Sequence, residues 1–184
     1  MDRVNKDGAV TFDRQPVLRG ELLELRPLRA DDFDAVFRVA SDPLIWEQHP
    51  DSDRHEEPTF RRFFADALNS GGALVAIDRA SGQIIGSSRY HGFDAARSVV
   101  EIGWTFLARA YWGGRYNGEM KRLMLEHAFK SVRRVIFIIG TDNRRSRRAV
   151  EKIGAVFAGA TRDTRGRPAV MYEMAIESFS SSAP

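Results

Sequence analysis

EIGWTFLARAYWGGRYNGEMKRLMLEHAF, residues 101–129, reads as a strand, a glycine-bearing turn and an amphipathic helix in immediate succession. Val100, Ile102, Trp104 and Phe106 alternate with Glu101, Gly103 and Thr105, the period of two of a pleated segment. Met120, Leu123, Met124, His127 and Ala128 recur at the spacing of one helix face. Between them lie Gly113, Gly114 and Gly118, with Asn117 placed to cap. A turn of this kind uncovers backbone N–H groups beside the positive end of a helix dipole, and phosphate is the usual guest of such an anion site. The same glycines also suit a turn that only lets strand and helix pack closely. The stretch alone leaves both readings open.

Two nucleotide motifs are excluded by letter. Gly113 and Gly118 have the glycine spacing of a P-loop, but Glu119 and Met120 stand where lysine and a hydroxyl residue are needed, and an acid there repels phosphate. The dinucleotide fingerprint G-x-G-x-x-G is absent from the stretch.

Working outward, Glu21 to Arg26 reads as a first strand closed by Pro27. Asp31 and Asp32 open a helix with the apolar stripe Phe33, Val36, Phe37 and Ala40, stopped by Asp42-Pro43. Leu44 to Asp53 is a loop or short helix. A second helix runs from about Thr59, with Phe60, Phe63, Phe64, Ala67 and Leu68 on one face and Asn69-Ser70-Gly71-Gly72 as its terminator. Strands follow at 73–77 and 83–93, joined through Ser81-Gly82, and at 98–107. Val135 to Ile139 has the continuous apolar character of a strand covered on both faces. Asn143 caps a helix with Ser146, Ala149, Val150 and Ile153 inward, and Gly154 ends it. A hairpin around Arg165-Gly166 closes the chain. The order β, α, α, β, β, β, α, β, α, β, β predicts an α+β single domain whose mixed, largely antiparallel central sheet is flanked by helices. Residues 1–17 are expected as an N-terminal extension, 18–177 as the domain, and 178–184 as a flexible tail.

With 184 residues the chain is long enough to bury a real core. No apolar run approaches the roughly 20 residues that span a bilayer. MDRVNKDG lacks the apolar core of a signal peptide, so a cytoplasmic location is expected. The absence of cysteine excludes disulfides, thiolate metal sites and a cysteine nucleophile. Arg144, Arg145, Arg147 and Arg148 form a basic cluster, but they project from the face opposite Ala149 and Ile153, and Arg147 is spaced to pair with Glu151. Without aromatic interleaving or a nucleic-acid motif, the cluster reads as a solvated face.

Three stretches, in this order, resemble the GNAT superfamily of N-acetyltransferases, closest to the branch of ribosomal-protein N-terminal acetyltransferases. They are LELRPL (Leu23 to Leu28) before an acid-capped helix, EIGWTFL with YWGGRYNGE, and the N-x-x-S…K-x-G pattern of Asn143, Ser146, Lys152 and Gly154. The likeness covers Leu18 to Ile176. It implies acetyl-CoA as co-substrate, its pyrophosphate held by the loop Trp112, Gly113, Gly114, Arg115, Tyr116, Asn117 and Gly118. The family loop reads Q/R-x-x-G-x-G/A, so Arg115 stands on a glycine position. Either Gly114 takes over close approach, or the guanidinium binds phosphate directly.

The resemblance also implies roles for individual residues. Acetyl transfer needs a neutral amine, a stabilised oxyanion, a positioned thioester and a protonated thiolate. Glu101 is the first candidate base, with a salt-bridged glutamate as the structural alternative, and His91 is the second. A backbone N–H from Thr105, Phe106 or Leu107 is placed to meet the oxyanion. Val150 occupies the position where many relatives carry a tyrosine acid, so Ser146, one turn earlier, is the candidate donor to the thiolate, with Asn143 beside it as a cofactor contact. One or more arginines of the basic cluster are candidates for the 3′-phosphate of coenzyme A. Trp46, His49, Arg89 and His91 are the candidate acceptor contacts, while His127 reads as a core residue. The expected partner is a small-molecule or peptide amine, with a homodimer as an option and neither nucleic acid nor membrane. A non-catalytic acyl-CoA sensor of the same fold is the alternative.

Overall fold

The computed structural model describes residues 11–180, so the expected N-terminal extension and C-terminal tail lie partly outside the described residues. Its strands are β1 (Leu18–Arg19), β2 (Leu23–Pro27), β3 (Ala73–Asp78), β4 (Ile84–Asp94), β5 (Val99–Leu107), β6 (Arg134–Gly140), β7 (Val156–Arg162) and β8 (Pro168–Ala175). The helices are α1 (Phe33–Ala40), α2 (Glu57–Asn69), α3 (Arg115–Ala128), α4 (Arg144–Lys152) and α5 (Ile176–Ser180). The strand order is β1-β2-β3-β4-β5-β6-β8-β7, and the fold is the expected α+β mixed sheet with flanking helices. β5 pairs with β6 in parallel across the α3 crossover, while hairpin-joined strands pair antiparallel.

The described residues form two compact units. One comprises Arg14–Arg89 and Trp104–Leu123. Here β1, β2, β3 and the first part of β4 pair in succession. Its core is aromatic. Phe60, Phe63 and Phe64 of α2 pack with Val36 and Ala40 of α1, Val75 of β3 and Phe106 of β5. Phe33 and Phe37, one helical turn apart, stack at 5.8 Å between ring centroids. Asp32, at the start of α1, does more than favour the helix dipole. Both its carboxylate oxygens accept from Arg26 at 2.7 Å, and one accepts the Arg29 backbone N–H at 2.8 Å.

The other unit holds Tyr90–Gly103 and Met124 onward, together with the first described residues to Asp13. β6 supplies Val135, Phe137 and Ile139 to its interior, facing Tyr172 and Met174 of β8. Phe12 lies edge-on to Tyr90 at 5.0 Å and close to Phe93 and His127. The His127 ring sits 2.7 Å, through Nε2, from the Asp13 carbonyl. It thus fastens the N-terminal arm rather than filling the core.

Local differences from the sequence reading have physical causes. α2 starts at Glu57, because Pro58 is tolerated in the first turn, where no intrahelical N–H is required. α3 starts at Arg115, so Asn117 lies inside its first turn and does not cap it. Two short elements, β1 and α5, carry too few residues to show a period. Arg147 does not meet Glu151 directly. It donates to the Tyr172 hydroxyl at 3.1 Å, and that hydroxyl donates to Glu151 at 2.6 Å.

Candidate functional site

The turn that follows β5 keeps the character its glycines suggest. Gly113 has φ +69°, a left-handed conformation that glycine adopts without a Cβ penalty. A Cβ added at Gly114 or Gly118 would meet nothing within 4 Å, so the backbone at the start of α3 is open to an approaching group. Arg115, the first residue of α3, is exposed. The turn is anchored from behind, since the Trp112 indole N–H donates to the Leu107 carbonyl at 2.8 Å. The Tyr116 hydroxyl donates to Asp78 at 2.9 Å, whose carboxylate also accepts from the Ser81 hydroxyl in the β3–β4 hairpin. The Ser81 and Tyr116 bonds hold the Asp78 carboxyl below its ordinary pKa, against the opposing effect of burial. An exposed arginine and open backbone at the N-terminus of a 14-residue helix fit a pyrophosphate.

Glu119 explains why the P-loop reading fails and what the acid does instead. Its two carboxylate oxygens accept the backbone N–H groups of Glu21, Leu22 and Leu23 at 2.8–2.9 Å. The position that binds phosphate in a P-loop here fixes the entry to β2.

β5 is irregular just before the turn. Trp104 has φ +51°, a conformation a bulky L-residue adopts at a cost of about 1–2 kcal/mol. Its ring lies under the Arg89 guanidinium at 4.7 Å and packs against the apolar cluster that includes Phe106. Thr105 turns its hydroxyl to Lys121 of α3, whose Nζ donates to it at 2.5 Å, and to the Ser88 hydroxyl of β4 at 2.8 Å. Lys121 is buried, 4% exposed, and desolvation pushes its pKa down to about 7. Sequence reasoning missed this lysine, although its spacing from Met124 and Ala128 puts it on the inward stripe.

The acceptor candidates of this unit are held tightly. Trp46 is buried, donates its indole N–H to the Ala40 carbonyl at 2.7 Å, and packs on Phe63 and Phe106. His49 accepts the Asp51 backbone N–H at Nδ1, 2.9 Å, and its Nε2 lies 3.1 Å from Arg54. Arg54 is itself buried over Phe63 and paired with Asp51 at 2.6 Å. Arg89 is buried with its guanidinium between Trp104 and Phe63.

The other unit carries the remaining candidates. Glu101 is buried at 7% exposure on β5, and its carboxylate lies over Gly103, where an added Cβ would come within 3.2 Å of Oε1. The missing Gly103 side chain is therefore space that the carboxylate already uses. His91 is half-buried on β4. Asn143 is the N-cap of α4, its side-chain oxygen accepting the Ser146 backbone N–H at 3.1 Å, and Val150 is buried on that helix. Among the described residues there is no group of His, Cys, Asp or Glu arranged to hold a metal. No helix among them is long and apolar enough to cross a membrane.

Residues 23–156 match the family model described as the acetyltransferase (GNAT) domain. Comparison with curated proteins finds no match. Among solved structures, a probable GNAT-family acetyltransferase from Chromobacterium violaceum has a TM-score of 0.82 at 25% identity, covering 94% of this chain and 92% of its own. A GCN5-related N-acetyltransferase from Brucella melitensis has a TM-score of 0.79 at 23% identity, with 90% and 81% covered. Mycobacterium smegmatis RimJ, solved in complex with CoA-disulfide, shares the fold at a TM-score of 0.65 and 19% identity, with 88% and 87% covered. With the family model spanning most of the chain, this protein belongs to the GNAT family and is an N-acetyltransferase that uses acetyl-CoA.

Proposed function

We propose that the enzyme transfers the acetyl group of acetyl-CoA to a primary amine of a small molecule or a peptide N-terminus by direct attack in a ternary complex. The observation that carries the cofactor half is the turn at Gly113–Gly114, with open backbone, at the dipole end of α3 beside the exposed Arg115. Acetyl-CoA supplies an activated acyl carbon. The acceptor nitrogen bonds to that carbon as the carbon–sulfur bond breaks, the amine gives up a proton, and the thiolate takes one up.

Glu101 is assigned the amine's proton, relayed through water. Backbone N–H groups of Thr105, Phe106 and Leu107 are assigned to the thioester oxygen. Ser146 is assigned the donation to the leaving thiolate, a modest task because a free thiol has a pKa of about 8.5. Trp46, His49, Arg89 and His91 are assigned to the acceptor side. Trp46 and Arg89, being buried, would shape its wall rather than reach into it.

Thermal shift with acetyl-CoA, coenzyme A and ATP tests the cofactor. Stabilisation by both coenzymes is expected, and a response to ATP alone would sink the assignment. Release of free thiol on adding an amine panel then separates turnover from a sensor of the same fold, and mass spectrometry of the products names the acceptor. Full turnover by Glu101→Gln would remove Glu101 as the base.

A further inference from the structure

Lys121 is a buried titratable group that the proposed chemistry leaves unused. It lies in the second turn of α3, the helix that begins at the glycine turn, and donates to Thr105 in the irregular end of β5. Strain such as that at Trp104 persists only where the surroundings over-determine it. The segment is gripped from both sides. Arg89 and the aromatic cluster hold the Trp104 ring, while Lys121 and Ser88 hold the Thr105 hydroxyl. A serine hydroxyl already reaches Thr105, and burying a lysine nearby is costly unless the charge is compensated. A methionine would fill the same space, but only the amine can donate to the Thr105 hydroxyl. Its effect is to tie the helix behind the pyrophosphate turn to the strand backbone assigned to the thioester.

We propose that Lys121 is a positioning residue for acetyl transfer, holding the Thr105 hydroxyl so that the Thr105–Leu107 backbone is set against the thioester carbonyl. This rests on the reading under Proposed function that this segment receives that carbonyl. Lys121 acts through Thr105, so once Thr105 is replaced, removing Lys121 as well adds nothing.

The test is infrared difference spectroscopy of [1-13C]acetyl-CoA bound to the wild type, Lys121→Met, Thr105→Val and the double variant, with coenzyme A affinity measured by calorimetry. The wild type is expected to lower the thioester carbonyl stretch from its solution value. Each single variant should bind coenzyme A within about threefold of wild type while losing most of that shift, and the double variant should lose no more. Thr105→Val keeps the test alive if Lys121→Met fails to fold. Wild-type carbonyl shifts in both single variants would overturn the inference while leaving the cofactor assignment intact. A wild type that binds acetyl-CoA with no carbonyl shift overturns the placement of the thioester, and the inference with it. A wild type that binds neither coenzyme overturns the cofactor assignment itself.

Discussion

Replacing Lys121 by methionine should make the protein more stable, by an amount that depends on pH. Burial lowers the lysine pKa from 10.5 to about 7. A difference of that size corresponds to a penalty of roughly 4 kcal/mol at neutral pH, at about 1.4 kcal/mol per unit. Methionine removes the penalty, keeps the apolar stem, and gives up one hydrogen bond to Thr105 worth about 1 kcal/mol. The expected net gain near pH 7 is roughly 3 kcal/mol. The sign follows from the protons bound. Between about pH 7 and 10.5 the unfolded chain holds a proton that the folded chain has released, so wild-type stability rises with pH across that window. The penalty is complete below the window and gone above it. The variant has no such group, so its advantage shrinks as pH rises. Urea unfolding followed by the fluorescence of the three tryptophans, from about pH 6 to about pH 10, measures both curves. A gap that stays constant across that range, or a variant less stable at neutral pH, would refute the reasoning.

Other perturbations probe different contacts. Glu119→Ala strips three backbone N–H groups of their acceptor and should cost about 1–3 kcal/mol in urea unfolding. Asp32→Asn breaks the paired hydrogen bonds to Arg26 and should cost a similar amount, about 1–3 kcal/mol. Burial opposes ionisation of Asp32, but Arg26 and the Arg29 N–H outweigh it and hold its pKa below 3.8. The wild-type contribution is therefore full above that value and fades as pH falls through the folded pKa. An acid titration of stability should show the variant losing less than wild type. Arg115→Ala should weaken coenzyme A binding about tenfold and flatten its salt dependence, read by calorimetry at two ionic strengths. Phe12→Ala should cost about 1–2 kcal/mol, because its ring packs on Tyr90, Phe93 and His127, and unchanged thermal stability would deny the arm a structural role.

The sequence by itself determined the element order, because each helix and long strand carries its own period. The Phe33–Ala40 stripe, the β-branched run of β6 and the glycine turn are all local facts, and local residues settle them. The mixed sheet then follows from short connections and one helical crossover. Asn143 was readable as a cap because its partner is the backbone N–H of Ser146, three residues away.

Only the tertiary structure decided what depends on partners distant in the chain. Glu119 excludes a P-loop by its letter alone, but its own task depends on three partners nearly 100 residues earlier in the chain. Trp46 and Arg89 carried no sign of their burial, since neither an indole nor a guanidinium declares which neighbours cover it. The positive φ at Trp104 has no sequence signal at all. A period of two cannot show where a strand stops being regular, or that the Trp104 ring there packs on Arg89 and the apolar cluster. Lys121 was visible as a phase, but its character was not. The low pKa and the bond to Thr105 come from desolvation and from a strand 16 residues away in sequence, which no local pattern encodes.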